Sequence, residues 1–357
     1  MLKLSAGAGA AAFLAACSSD NSSSTQSTDV LTPEADGDIT WFSYESYVSP
    51  KVVASFEKKY GVKVDLVYFS NVEGMVQKVA AGLPYDLIGT NSSFNSQLIS
   101  EGLLRAYDPA QMQNFDQIIP YFATPPYDDG DLRYTIPYGY GPAGIAYQKD
   151  KVDVNGSWSD LWENPDAKGY IYVLDQQDET LGMSLMRDGA SVNSGDTAEV
   201  TDASDQLIAL KPDLGGISSD VLGLIGGGSA WMLHGWAGTV YQALETLDDP
   251  SAWEFEWPGE GLSMGCDTLS VGANAKSPGT ALLFMQHMLE PENSFANTMY
   301  MGYSNGTEQG EAASHEITKA YPFLELPTDD LEAAQWRQAP TGARQQLWNQ
   351  QWTRFRA

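Results

Sequence analysis

Tyr44, Glu45, Ser46 and Tyr47 stand together just past a short apolar run, and aromatic or acidic residues recur in comparable places downstream: Asp175, Asp178, Glu179, Trp236, Asp267 and Tyr303. Rings beside carboxylates suit an alkylammonium ligand, because the ring faces attract the cation and cover its hydrocarbon while the carboxylates accept charge-assisted hydrogen bonds. That is chemistry for holding a solute and it requires no reaction. Each residue alone has an ordinary role, a core or rim aromatic or a solvated acid at a helix start. Their recurrence at the ends of predicted strands is what singles them out.

Reactive arrangements are scarce by comparison. Gly226-Gly227-Gly228-Ser229 lacks the lysine of a phosphate-binding loop and the spacing of a dinucleotide fingerprint, and is read as a turn. There is no G-x-S-x-G elbow and no H-E-x-x-H pair. Carboxylates are numerous enough that a glycosidase pair stays open, but nothing marks one out. Two cysteines, Cys17 and Cys266, and three scattered histidines, His234, His287 and His315, give neither a disulfide framework nor zinc spacing. No catalytic residue, metal or cofactor is therefore expected.

Elements that would position the candidates follow from periodicity. Residues 39–43 (ITWFS) predict a strand and residues 50–60 a helix, opened by Pro50 and closed by Gly61. Residues 62–69 alternate as a strand, 74–82 form a helix, 85–89 a buried strand and 94–101 a helix. This βαβαβα order implies a mainly parallel sheet flanked by helices, with ligands beyond the carboxyl ends of its strands. The loops 44–49, 70–73 and 90–93 are then the first places to look. A similar run follows residue 150: a Trp-rich turn at 157–162, strands at 170–175, 229–233 and 270–272, and helices from Glu179 and over 278–289. Two α/β units suit the length better than one.

With 47 acidic against 19 basic residues in 357, the net charge of -28 repels phosphate backbones and excludes nucleic acid as a partner. The 43% apolar content is enough for a full core. Residues 1–16 (MLKLSAGAGAAAFLAA) have the form of a secretory signal too short to span a bilayer, and Leu14-Ala15-Ala16-Cys17 resembles the lipobox of bacterial lipoproteins, with lipid attachment at Cys17. Residues 17–38, rich in Ser, Thr and Asp, read as a flexible tether holding an exported body to the membrane. The short positive region, resembling the latter part of a twin-arginine signal, suggests a start codon farther upstream, with the arginine pair between it and Met1. No later segment is long and apolar enough to cross a membrane.

From about residue 39 to the C-terminus the chain resembles the bacterial solute-binding proteins for spermidine and putrescine that serve ABC importers. The resemblance is carried by residues 42–50 (FSYESYVSP), 85–94 (YDLIGTNSSF), 136–152 (IPYGYGPAGIAYQKDKV), 157–162 (SWSDLW), 234–243 (HGWAGTVYQA), 266–276 (CDTLSVGANAK) and 288–303 (MLEPENSFANTMYMGY). It implies a two-lobe periplasmic-binding-protein fold, α/β, each lobe a mainly parallel sheet flanked by helices and joined by hinge crossings. The first lobe would comprise 39–142 plus 267–310 and the second 143–266 plus 311–357.

By position, the resemblance puts the ligand against Tyr44 and Tyr47, with Glu45 standing in for an acid that relatives place where Ser46 falls. Ser92 and Ser93, Glu179, Trp236, Asp267 and Tyr303 complete the implied site, and Arg337 falls where relatives of the spermidine type have glutamine. Thr239 replaces an aspartate of the putrescine type. An arginine in the site would repel one end of a diamine and attract an acid group. The implied function is a lipid-anchored component that captures a polyamine between its lobes and delivers it to an ABC permease, as a monomer. Spermidine and putrescine are not separable from these positions, and another solute (an amino compound, sugar or anion) or a two-lobe hydrolase is the alternative.

Overall fold

The computed structural model describes residues 31–69, 71–128 and 130–357. The expected signal peptide over 1–16, Cys17, the first part of the tether, and Ser70 in one candidate loop lie outside the described residues. Among the described residues twelve strands occur in chain order: β1 (Ile39–Ser43), β2 (Val64–Tyr68), β3 (Leu87–Asn91), β4 (Thr135–Tyr140), β5 (Ala143–Gln148), β6 (Ile171–Val173), β7 (Leu214–Ile217), β8 (Met232–Trp236), β9 (Trp253–Glu256), β10 (Ser263–Met264), β11 (Cys266–Val271) and β12 (Gln335–Trp336). They form two five-stranded sheets, β2-β1-β3-β11-β4 and β7-β6-β8-β5-β9, and a two-stranded ribbon of β10 with β12.

The sheets share one plan. In each, four strands run one way and the fourth position is held by a strand running against its neighbours: β11 between β3 and β4 in the first, β5 between β8 and β9 in the second. Both reversed strands are delivered by chain crossings. β4 passes through Gly141-Pro142 into β5, and β10 passes through Gly265 into β11. A further crossing is pinned where the Tyr140 N–H donates to the Ser304 carbonyl at 2.9 Å. The result is a two-lobe α/β fold with a mainly parallel sheet in each half.

Local chemistry accounts for the elements. Helix Pro50–Tyr60 has proline in its first turn and ends on Gly61 at φ 71°, a left-handed conformation that glycine adopts without a Cβ penalty. β1 buries Trp41 and Phe42 completely. Trp41 meets Tyr138 edge-on at 5.7 Å and Phe284 at 5.0 Å, and burial of each such ring contributes about 1.5–3 kcal/mol. The triple-glycine segment, read as a turn, closes helix Val221–Gly226, with Gly228 at φ 66°.

Three boundaries differ from expectation. The strand expected at 229–233 runs over Met232–Trp236, and that expected at 270–272 begins at Cys266. The packed body also starts before residue 39. Leu31 is buried and bridges Tyr107, while both carboxylate oxygens of Asp36 accept from the first-turn N–H groups of Gly279 and Thr280. Asp36 therefore caps helix Pro278–Met288, so residues 31–38 are docked rather than free as the end of a tether.

Candidate functional site

Carboxyl ends of strands in both sheets, together with the crossing 263–267, assemble one cluster of acids and rings. Tyr44 follows the last residue of β1, and Asn91 closes β3. Because β11 runs antiparallel to β3, its beginning lies beside the end of β3, and Asp267 is paired in register with Asn91. The Asp267 carboxylate accepts from the Tyr47 hydroxyl at 2.5 Å and from the Asn91 amide at 2.7 Å. Both donors are neutral. Burial raises the Asp267 pKa, and these two hydrogen bonds and the more distant Arg337 charge oppose that rise.

The second carboxylate centre is differently served. Glu179 lies in the first turn of helix Gln177–Arg187, which follows β6, and its side chain is only 1% exposed. The Trp236 indole, at the end of β8, donates to Glu179 Oε1 at 2.7 Å, and Ser263 donates to Oε2 at 3.3 Å. Arg337 Nη1 stands 2.6 Å from Glu179 Oε1 and donates to Ser263 Oγ at 2.9 Å. Its Nε is 3.2 Å from Asp178 Oδ2, an ion-pair contact rather than an aligned hydrogen bond. Desolvation raises the Glu179 pKa against the opposing charge of Arg337. The Arg337 pKa is raised, since Glu179, Asp178 and Asp267 outweigh the effect of its burial.

Arg337 reaches this position because of the hinge ribbon. β12 pairs in parallel with β10, and the Arg337 N–H donates to the Met264 carbonyl at 2.9 Å. Gly265 makes room for the guanidinium: a Cβ there would lie 2.1 Å from Arg337 Nη2. The loop after the Glu179 helix fixes the other side, with Asn193 donating to the Trp336 carbonyl at 2.8 Å.

Rings join the two centres. Tyr44 and Tyr47 meet edge-on at 5.4 Å, and Tyr47 lies 6.2 Å from Tyr303. The Tyr303 hydroxyl bonds the Thr239 hydroxyl at 2.6 Å and accepts from the Thr239 N–H at 3.1 Å, and its ring packs where a Cβ on Gly238 would lie, 2.5 Å away. The pKa of Tyr44 is pushed well up by burial and by Asp267, Asp178 and Glu73, that of Tyr47 by burial and Asp267, and that of Tyr303 by burial in the main. These phenols are neutral donors at any ordinary pH.

Of the residues singled out from sequence, Tyr44, Tyr47, Glu179, Trp236, Asp267, Tyr303 and Arg337 come together. Glu45 is exposed and shares no hydrogen bond or ion pair with them; it flanks Ser46, whose φ of 57° forms a tight turn that directs Glu45 to solvent. Ser92 is spent internally, its hydroxyl accepting from the Cys266 N–H at 3.1 Å. Ser93 abuts the Arg337 segment through its carbonyl, which accepts from the Ala339 N–H at 3.2 Å, while its buried hydroxyl has no partner among the described residues. Asn91, Ser263 and Gly265 were not singled out. Asn91 sits inside a segment that was, but Ser263 and Gly265 carry no local signal. A separate cavity of about 240 Å³, lined by Tyr140, Pro142, Gly238, Trp257, Tyr303 and Glu311 among others, touches the hinge without including Glu179 or Asp267.

Known proteins give a consistent assignment. Residues 51–323 match the model of the family described as bacterial extracellular solute-binding protein. The chain is 29% identical over 269 residues to the spermidine/putrescine-binding periplasmic protein of Escherichia coli, covering 71% of this chain and 73% of that one. It is 26% identical over 315 residues to a putrescine/cadaverine-binding protein of Pseudomonas aeruginosa, covering 85% and 86%. Among solved structures, the TpPotD lipoprotein of Treponema pallidum superposes with a TM-score of 0.79 at 24% identity, covering 89% of this chain and 98% of that one. The chain thus belongs to the bacterial extracellular solute-binding protein family.

Proposed function

We propose that this protein is the lipid-anchored solute-binding component of an ABC importer, and that it captures a polyamine between its two lobes and presents it to the permease. The observation that carries the ligand class is Asp267, a partly buried carboxylate whose two direct partners, Tyr47 and Asn91, are uncharged, with the rings of Tyr44, Tyr47 and Tyr303 nearby. A buried charge without a counter-ion is costly, and an ammonium group entering beside it recovers that cost. Relatives named for spermidine, putrescine and cadaverine support the same class. The lobes proposed are residues 39–142 plus 267–310 and 143–266 plus 311–357, with the three crossing segments as the hinge. Calorimetric titration of the full chain in detergent with putrescine and spermidine tests the reading: micromolar or tighter binding of either supports it, and silence with both overturns it.

The anchor rests on the sequence Leu14-Ala15-Ala16-Cys17. Metabolic labelling with a radioactive fatty acid is expected to mark the wild-type chain, and Cys17→Ser is expected to lose the label and leave the membrane fraction. A monomer is the proposed state, to be read by light scattering on the eluted protein.

A further inference from the structure

We infer that Arg337 acts as a fixed cation of the site, taking the share of carboxylate charge that a third ammonium group would take, so that this protein selects dications over trications. The inference rests on the polyamine reading. Three acidic side chains, Asp178, Glu179 and Asp267, lie in the cluster, and the guanidinium of Arg337 is paired with the first two. Counted formally, three carboxyl groups against one guanidinium leave minus two, which a diamine neutralises and a triamine overshoots. Glu73 lies within electrostatic range of Tyr44 and Asp178 but is exposed, where water screens it.

Arg337 is built in, and the geometry separates it from a surface arginine that happens to fold over. Its side chain is 8% exposed, it shares Glu179 Oε1 with the Trp236 indole, it donates to Ser263, and Gly265 leaves the space its Nη2 fills. A ligand ammonium approaching Glu179 therefore meets a carboxylate whose charge is already matched, whereas one approaching Asp267 meets neutral donors only. The two ends of the site differ in charge, and the arginine fixes which end takes an ammonium. The remaining negative charge on the second-sheet side is held with Asp178, whose side chain is partly open.

Calorimetry with putrescine and spermidine on the full chain and three variants tests this. The wild type is expected to bind putrescine at least tenfold more tightly than spermidine. Arg337→Gln, which keeps length and hydrogen bonding without the charge, is expected to reduce that preference at least tenfold, and Arg337→Lys to retain it. Gly265→Ala, which pushes the guanidinium aside while leaving its charge on the chain, is expected to move the ratio in the same direction as Arg337→Gln; thermal melting of each variant verifies folding. Binding of both amines with a ratio that Arg337→Gln leaves unchanged overturns the inference and leaves the polyamine reading standing, as does a wild-type preference for spermidine. Silence of the wild type with both amines overturns both, and so does binding of 4-aminobutyrate that Arg337→Gln abolishes, since Arg337 would then be a carboxylate receptor.

Discussion

Asp267, partly buried at the start of β11, and Glu179, buried in the first turn of its helix, are both acids of the cluster, yet their surroundings are opposite. Asp267 is held by a phenol and an amide. Glu179 is held by an arginine, an indole and a hydroxyl. An acid with neutral donors leaves its field open to whatever enters, while one paired to an arginine has most of its field answered within the protein. The first is a recognition point; the second is a piece of architecture that also sets the charge of the cleft.

The comparison can be broken by removing either acid. Glu179→Ala leaves the Arg337 guanidinium buried with only Asp178, and stranding one partner of a buried pair costs about 3–5 kcal/mol, the lower end applying because Asp178 remains; urea unfolding is expected to report that loss. Asp267→Ala is expected to leave folding intact and weaken amine binding by about 2–5 kcal/mol, measured by calorimetry. Equal unfolding losses for the two variants would erase the distinction. Trp236→Phe retains a ring but not the indole N–H given to Glu179, and a binding loss of about 1 kcal/mol is expected.

A subtler effect sharpens the contrast. The Asp267 pKa is raised on folding, so the stability contributed by its protonated carboxyl group is fully present below the unfolded value of about 3.9 and is lost as the pH rises through the raised value. Asp267→Asn is therefore expected to melt higher than the wild type at neutral pH. The gain should vanish as the pH falls below that unfolded value, because both proteins are then uncharged at the position. Melting curves across this range check the sign, and the same variant should bind amines less well.

Much of the frame was legible in local sequence. Pro50 and Gly61 bracket their helix, and the alternation of β1, β2 and β3 with helices announces a parallel sheet. β4 and β5 were not read as strands. β4 contains Pro137, tolerated because β4 is an edge strand and its pairing with β11 is irregular at Asp267/Thr268. Tyr44, Trp236 and Asp267 were within reach because each stands at or beside the end of an element, and Tyr47 and Tyr303 because they lie in the short loops that follow one. The partner of Glu179 was legible only as a position, since Arg337 arrives on a two-residue ribbon whose pairing with β10 leaves no periodicity. Glu45 stands exposed beside the turn at Ser46, which no pattern of neighbours reveals.

The reversed strand β11 has a bearing on how the chain must mature. The first sheet lacks its fourth member until synthesis has passed Val271, so β3 and β4 wait with open edges while the whole second sheet is being made. Such late, distant pairing slows folding, and open edges invite association with other chains. A chain stopped within the second sheet would be a candidate for proteolysis or aggregation rather than a usable half.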